Sequence, residues 1–236
     1  MTYRSLEADR IEKTIETLYK RIEERFPNRG LGKLCAELLN IAREDEKSLH
    51  WVSRPNLWLR GGVVVAVTIA VGVIIWFGSH LTNISVSNEA FNALQGIDAA
   101  VNTLALAAGA SWFLLNLESV WRRRAVLMHL HELRSIAHVV DMHQLTKDPT
   151  TLHKGYTSTA SSQMHDMNEF ELVRYLDYCS EMLSLTGKLA ALYMQNMRDP
   201  VVIEAVNEIE DLTTSLSRKI WQKIMILRQP GDPWGQ

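Results

Sequence analysis

What this chain of 236 residues has little of narrows its chemistry before anything else does. It has two cysteines, Cys35 and Cys179, and no Cys-x-x-Cys or Cys/His spacing links them. A disulfide framework and a structural zinc site are thereby unexpected, and both thiols are read as buried, reduced packing residues. There is no excess of positive charge. Lys and Arg number 25 against 27 Asp and Glu, a formal charge of −2, so nothing points to nucleic acid. The N-terminal region is densely charged and lacks an apolar core, so a cleaved secretory signal is not expected. Phosphate-binding loops, Gly-x-Gly-x-x-Gly, Gly-x-Ser-x-Gly, His-Glu-x-x-His and thiol pairs are all missing. The expectation is a non-enzymatic protein without cofactor or metal.

Apolar runs are what the sequence does have. From Gly61 to Gly78 only Thr68 interrupts one, with Trp58 and Trp76 near its ends as interfacial anchors. At 1.5 Å per residue this run spans about 27 Å, close to the hydrocarbon thickness of a bilayer. A second run, Ala99 to Leu117, is equally apolar, and no Pro or Gly follows Gly109 until the chain reaches Pro149. It predicts one helix over 97–145 that starts as a span and continues beyond it. The connecting stretch 80–96 holds no Lys or Arg, whereas Arg54 and Arg60 flank the first span and Arg122, Arg123 and Arg124 follow the second. The positive-inside rule therefore puts both termini in the cytoplasm and the connection outside. Asn83-Ile84-Ser85 in that connection fits a glycosylation sequon, a signal meaningful only in a secretory compartment.

The fold class predicted is an all-α membrane protein: a two-helix transmembrane hairpin, N-in and C-in, with a cytosolic helical bundle built from amphipathic N- and C-terminal helices. Its expected parts are a helical pair over 1–53, a first span over 54–79, an outer loop over 80–96, the long helix over 97–145, a Ser/Thr-rich loop over 146–167, a helical hairpin over 168–228 and a tail over 229–236. In the first helix Ile11, Ile15, Leu18, Ile22 and Phe26 recur at helical spacing until Pro27-Asn28-Arg29-Gly30 stops it. Leu34, Leu38 and Ile41 mark the second. Eight Ser and Thr crowd 146–167 with no apolar period. Asn168 with Glu171 predicts a capping box, and Asp199-Pro200 predicts a fresh helix start.

Three groups of residues are candidates for function. In the second span Asp98, Asn102, Ala105, Gly109 and Asn116 share a polar and small stripe. Such groups are costly against lipid, so the stripe is expected to face protein or water. It either lines a pore between copies or packs on the small-residue stripe Gly62, Ala66 and Ala70 of the first span. Beyond the arginines, Val126, Leu130, Leu133, Ala137 and Val140 form an apolar seam, read as a coiled-coil-like or bundle face. A second stripe there carries His131, Arg134, His138 and Asp141. His138 and Asp141, three apart, are within hydrogen-bonding reach, and Arg134 beside them argues against a cation. The third group, His138 to Pro149, packs His, Asp, Lys and Thr at a helix end. Its plainer reading is an end satisfied by its own side chains. Tyr175, Asp177, Tyr178, Cys179 and Glu181 crowd together in sequence but fall around the circumference of a helix, so no joint site is expected of them.

These features predict a protein of the bacterial inner membrane whose partners are the lipid bilayer and other copies of itself. It would be a homo-oligomer, channel-like, with cytosolic helices for assembly and gating. The alternative is a membrane-anchored scaffold whose cytosolic bundle binds a protein partner.

Overall fold

The computed structural model describes residues 5–53, 57–81, 89–152, 156–157, 159–161 and 166–228. Every regular element among them is helical: α1 (Ala8–Arg25), α2 (Gly30–Ser53), α3 (Leu57–Leu81), α4 (Glu89–Leu145), a single 3-10 turn (Pro149–Leu152), α5 (Glu169–Asn196) and α6 (Pro200–Arg228). The chain divides into two compact units, one made of Met1–Ser53 and Ala125–Gln236, the other of Arg54–Arg124.

The first unit is a bundle with one core. On α1 the repeating residues Ile11, Ile15, Leu18, Ile22 and Phe26 are all buried, as their spacing predicts. The α1–α2 turn works because Asn28 takes a left-handed conformation (φ 59°), which short polar side chains tolerate better than most. Its backbone N–H donates to the Glu23 carboxylate at 3.3 Å. Gly30 opens α2 where a Cβ would lie 2.6 Å from the His143 ring, so the missing side chain is what lets α2 and the end of α4 meet. The capping box is formed as expected: Asn168 accepts from the Glu171 N–H at 2.9 Å, and Glu171 accepts from the Asn168 N–H at 3.0 Å. Asp199 caps α6 by accepting from the N–H groups of Val201 and Val202, with Pro200 in the first helical position.

Helix α5 is the centre of this bundle, packed against α1, α2 and α6. It buries Leu172, Leu176, Met182, Leu183, Leu189 and Tyr193 among others, and leaves Phe170, Ser184, Lys188 and Gln195 exposed along one stripe. Phe170 is exposed, whereas Tyr175, Tyr178 and Cys179 are inside. At its two edges the Ser/Thr-rich stretch joins the bundle. Pro149–Leu152 forms the 3-10 turn with Pro149 buried, and Met167 reaches the core. Asp148 starts that turn by accepting from the Thr150 N–H at 2.9 Å.

The second unit holds α3 and the N-terminal part of α4. Among the described residues one helix, α4, is long and apolar enough to cross a membrane, and none of its apolar stretch is buried within the chain. A shorter apolar stretch, Val64–Val73, lies in α3. The boundaries differ from expectation on both sides of the connection: α3 runs on to Leu81, and α4 begins at Glu89 rather than 97. The segment Glu89 to Gln95 has good helix formers, no Pro, and an acidic residue at the start that suits the helix dipole. The rest of the 80–96 connection, including Asn83-Ile84-Ser85, lies outside the described residues, as does the tail 229–236.

Candidate functional site

Along the apolar part of α4, Asp98, Asn102, Ala105, Gly109 and Asn116 are all exposed. The Asn102 amide donates to the Asp98 carboxylate at 3.4 Å, and the Asn116 amide donates to the Trp112 carbonyl at 2.9 Å. Ser111 bonds the Ala107 carbonyl at 2.7 Å, and on α3 Thr68 bonds that of Val64 at 2.8 Å. Back-bonding of this kind satisfies a polar side chain inside its own helix, the requirement for any group placed in hydrocarbon. Helix-on-helix packing of the two small-residue stripes is not found. A Cβ added at Gly62 or at Gly109 would meet nothing within 4 Å, and Ala66 and Ala105 are exposed. Small residues permit close approach without supplying attraction of their own. Of the orienting arginines, Arg54 lies outside the described residues, Arg60 is within α3, and Arg122, Arg123 and Arg124 continue α4 without a break.

Of the two readings of the α4 apolar seam, coiled-coil-like or bundle face, the bundle face is the one found. Val126, Leu130, Leu133, Ala137 and Val140 are buried in the bundle core, so the chain itself covers them. Contacts to α5 and α6 fix this: His129 stacks on Tyr193 with ring centroids 6.0 Å apart, and Arg134 pairs with Glu208 at 2.8 Å. Of the polar patch, His131, Arg134 and His138 are exposed. Asp141 takes its hydrogen bond from Gln144 Nε2, at 2.6 Å, and not from His138. Among the described residues no group of three or more His, Cys, Asp or Glu is placed to hold a metal ion.

At the C-terminal end of α4 four elements meet. Lys223 of α6 donates from Nζ to the Gln144 carbonyl at 2.7 Å and the Lys147 carbonyl at 3.4 Å, so this helix end is capped by another helix. His143 lies against Gly30 of α2, and its Nδ1 is 3.4 Å from the Tyr175 hydroxyl of α5. The Lys147 ammonium sits 5.5 Å from the Tyr175 ring centroid, a cation–π contact. Burial, and the Lys147 charge, push the His143 pKa down; burial, then Arg29, push Lys147 down. Burial lowers Lys223 too, against the pull of Asp148 and Asp141. Cys179, wholly buried nearby, is raised to about 12 by burial, and Cys35 likewise; both are free thiols and poor nucleophiles. The crowding of His, Asp, Lys and Thr at this helix end brought His143 and Lys147 to notice. Tyr175, Gly30 and Lys223 are distant in sequence, and no local pattern announces them.

A second polar network surrounds Tyr178. Arg21 and Arg174 stack over its ring at 5.2 and 5.0 Å. Each also holds a carboxylate: Arg21 grips Glu181 with two bonds of 2.8 and 3.2 Å, and Arg174 pairs with Asp177 at 2.9 Å. Three residues of the Tyr175–Glu181 group, Asp177, Tyr178 and Glu181, therefore share one charge-balanced network, in which the Arg21–Glu181 pair ties α1 to α5 and the Arg174–Asp177 pair lies within α5. Compared with known protein families, curated proteins and solved structures, this chain matches none.

Proposed function

We propose that the chain is a two-span protein of the bacterial inner membrane, with α3 and α4 as the spans and both termini cytoplasmic. It self-associates, and the polar and small stripe of α4 faces a central path between copies, with the helical bundle serving assembly and gating. One observation carries this reading. Among the described residues, the stripe Asp98–Asn116 and the apolar residues of α3 and of the apolar stretch of α4 have no cover within the chain. Val64, Ile69, Ile75, Leu106 and Phe113 are each more than half exposed. Leaving such side chains in water forfeits roughly 1.5–3 kcal/mol each, so a bilayer is the natural solvent for the apolar faces. A lipid-facing Asp98/Asn102 pair is expensive, and other copies of the same stripe are its economical partner. The arginine asymmetry supplies the orientation.

The experiment is reconstitution. Purified protein in liposomes should conduct ions, and Asn102→Leu should change conductance while leaving the bundle folded. No flux from the wild type would end the channel reading.

A specific observation favours the second reading, a membrane-anchored scaffold. Since α4 spends its cytosolic seam inside the bundle, that bundle is a closed unit with its own core. Replacing 54–124 with a soluble linker should then preserve capture of a protein partner, whereas a channel would lose all activity.

A further inference from the structure

Two helices of the bundle carry their surface charges in opposite ways. On α1 the signs alternate, and Glu7–Arg10, Asp9–Lys13 and Glu16–Lys20 pair three or four residues apart. On α6 the signs are sorted. From Pro200 to Leu212 the charges are Glu204, Glu208, Glu210 and Asp211; from Thr213 to Arg228 they are Arg218, Lys219, Lys223 and Arg228. No opposite charges stand three or four apart on this helix, whereas Glu204 and Glu208, like Lys219 and Lys223, set equal charges there. The helix dipole favours this order only in the first and last turns, and Glu210, Asp211, Arg218 and Lys219 lie well inside them. Glu208 is matched by Arg134 of α4, and Lys223 by the carbonyls at the end of that helix. The other six are exposed.

Glu204, Asp211, Arg218 and Met225, each seven residues from the next, run along the middle of the face opposite the buried side of α6. Thr214 and Ser215 stand at its centre, exposed and small enough for a second helix to come close. Such a face is its own complement. Turned end for end about a twofold axis at Thr214 and Ser215, it sets Asp211 of each copy against Arg218 of the other, because the two residues are equally far from the axis. A parallel alignment would set like charges together. We propose that the exposed face of α6 binds the same face of a second copy, antiparallel, through these reciprocal Asp211–Arg218 pairs. Pairing also covers Trp221 and Met225, both half-exposed, with the acidic half of the other α6. Within the bundle α6 runs the same way as α4, since Arg134 meets Glu208 and, farther along both helices, Gln144 meets Lys223. An antiparallel α6 pair therefore makes the two α4 helices antiparallel. With α4 as a span, that is the geometry of copies meeting from two facing bilayers. This consequence rests on the membrane reading; the pairing itself does not.

The test is oxidative cross-linking of the full chain in detergent, carrying Ser215→Cys. Cys35 and Cys179 are wholly buried and stay out of the reaction. A cysteine near the axis should join two copies, whereas Glu204→Cys, held about 30 Å from its own equivalent, should not. Adding Asp211→Arg or Arg218→Asp to Ser215→Cys should cut the cross-linked yield at least about tenfold, because like charges then meet on both sides of the axis. Mixing the two charge variants should restore it, since only the mixed pair is complementary. All the substituted side chains are exposed, so melting curves by circular dichroism should stay unchanged. Vesicles with the bundle outward and bearing one charge variant should cluster only with vesicles bearing the other. Cross-linking in detergent without such clustering would uphold the pairing and count against the membrane reading. The proposal is overturned if Ser215→Cys yields no cross-link, as for a face left to solvent or to another protein, or if the yield is indifferent to charge reversal.

Discussion

Helix α5 and the N-terminal part of α4 are both rich in apolar residues, yet they meet opposite environments. On α5 the side chains of Leu176, Met182, Leu183, Leu189 and Tyr193 are sealed by neighbouring helices of the same chain. On α4, Ile97, Val101, Leu106, Trp112 and Phe113 have no such cover. The difference lies in what surrounds the apolar positions in sequence. Helix α5 mixes its leucines with Arg174, Asp177, Glu181 and Lys188, whose charges reach the bundle surface or pair there. From Ala99 to Leu117, α4 has no charged residue at all and its few hydroxyl and amide groups bond their own helix. A helix that must end its polar positions in water can close a soluble core. One that hides its polar groups internally is fitted to hydrocarbon.

The sharpest way to break this contrast is to remove the same group from both regions. Leu183→Ala should cost the bundle about 2–5 kcal/mol, the usual range for a fully buried leucine. Leu106→Ala, on an exposed side chain, should change bundle stability by less than about 0.5 kcal/mol. Thermal unfolding in detergent, followed by circular dichroism, measures both. Equal effects would mean that α4 is packed in the chain as α5 is.

Within the bundle the glycines give a smaller contrast. Gly30→Ala places a methyl 2.6 Å from the His143 ring, at the crowded junction of α2, α4 and α5, and should cost about 1–3 kcal/mol. Gly32→Ala meets the carboxylate end of Glu23, which can swing aside at the loss of its bond from the Asn28 N–H, so with the gain in helix propensity the net cost should stay below about 1 kcal/mol. Asn168→Ala removes the reciprocal cap of α5 and should cost about 1 kcal/mol by the same assay.

The smallest effect is in pH. His143 has its pKa lowered by burial and by Lys147, so the folded state favours the neutral ring. The unfolded chain then binds the proton more readily. The contribution to stability is present above the ordinary histidine value of 6.5 and is lost as pH falls below it through the folded value. Urea unfolding at successive pH values should show this decline, and His143→Gln should flatten it.

How far the sequence was legible follows from the range of each interaction. The α1 repeat, the Asn168–Glu171 box and the Asp199-Pro200 start are local, and each is found where its spacing put it. The burial of α5 was legible in part: its leucines repeat at helical spacing, whereas Tyr175, Tyr178 and Cys179 are covered by helices distant in sequence. The fate of the α4 seam was ambiguous for another reason. Val126, Leu130 and Leu133 present the same pattern whether their cover is another copy or α5 and α6. In the candidate sites, His143 and Lys147 stood out by composition, but Lys223 reaches Gln144 across 79 residues and leaves no local trace. Asp141 was assigned to His138 by helical arithmetic, and Gln144, equally three residues away on the other side, took the bond.

The central claim is that the exposed polar stripe of α4 is covered by other copies. Native mass spectrometry of the full chain released from lipid nanodiscs tests it most directly. A discrete oligomer is expected in the wild type, with Asn102→Leu shifting its distribution of states. A wild-type chain that is monomeric under these conditions would contradict it.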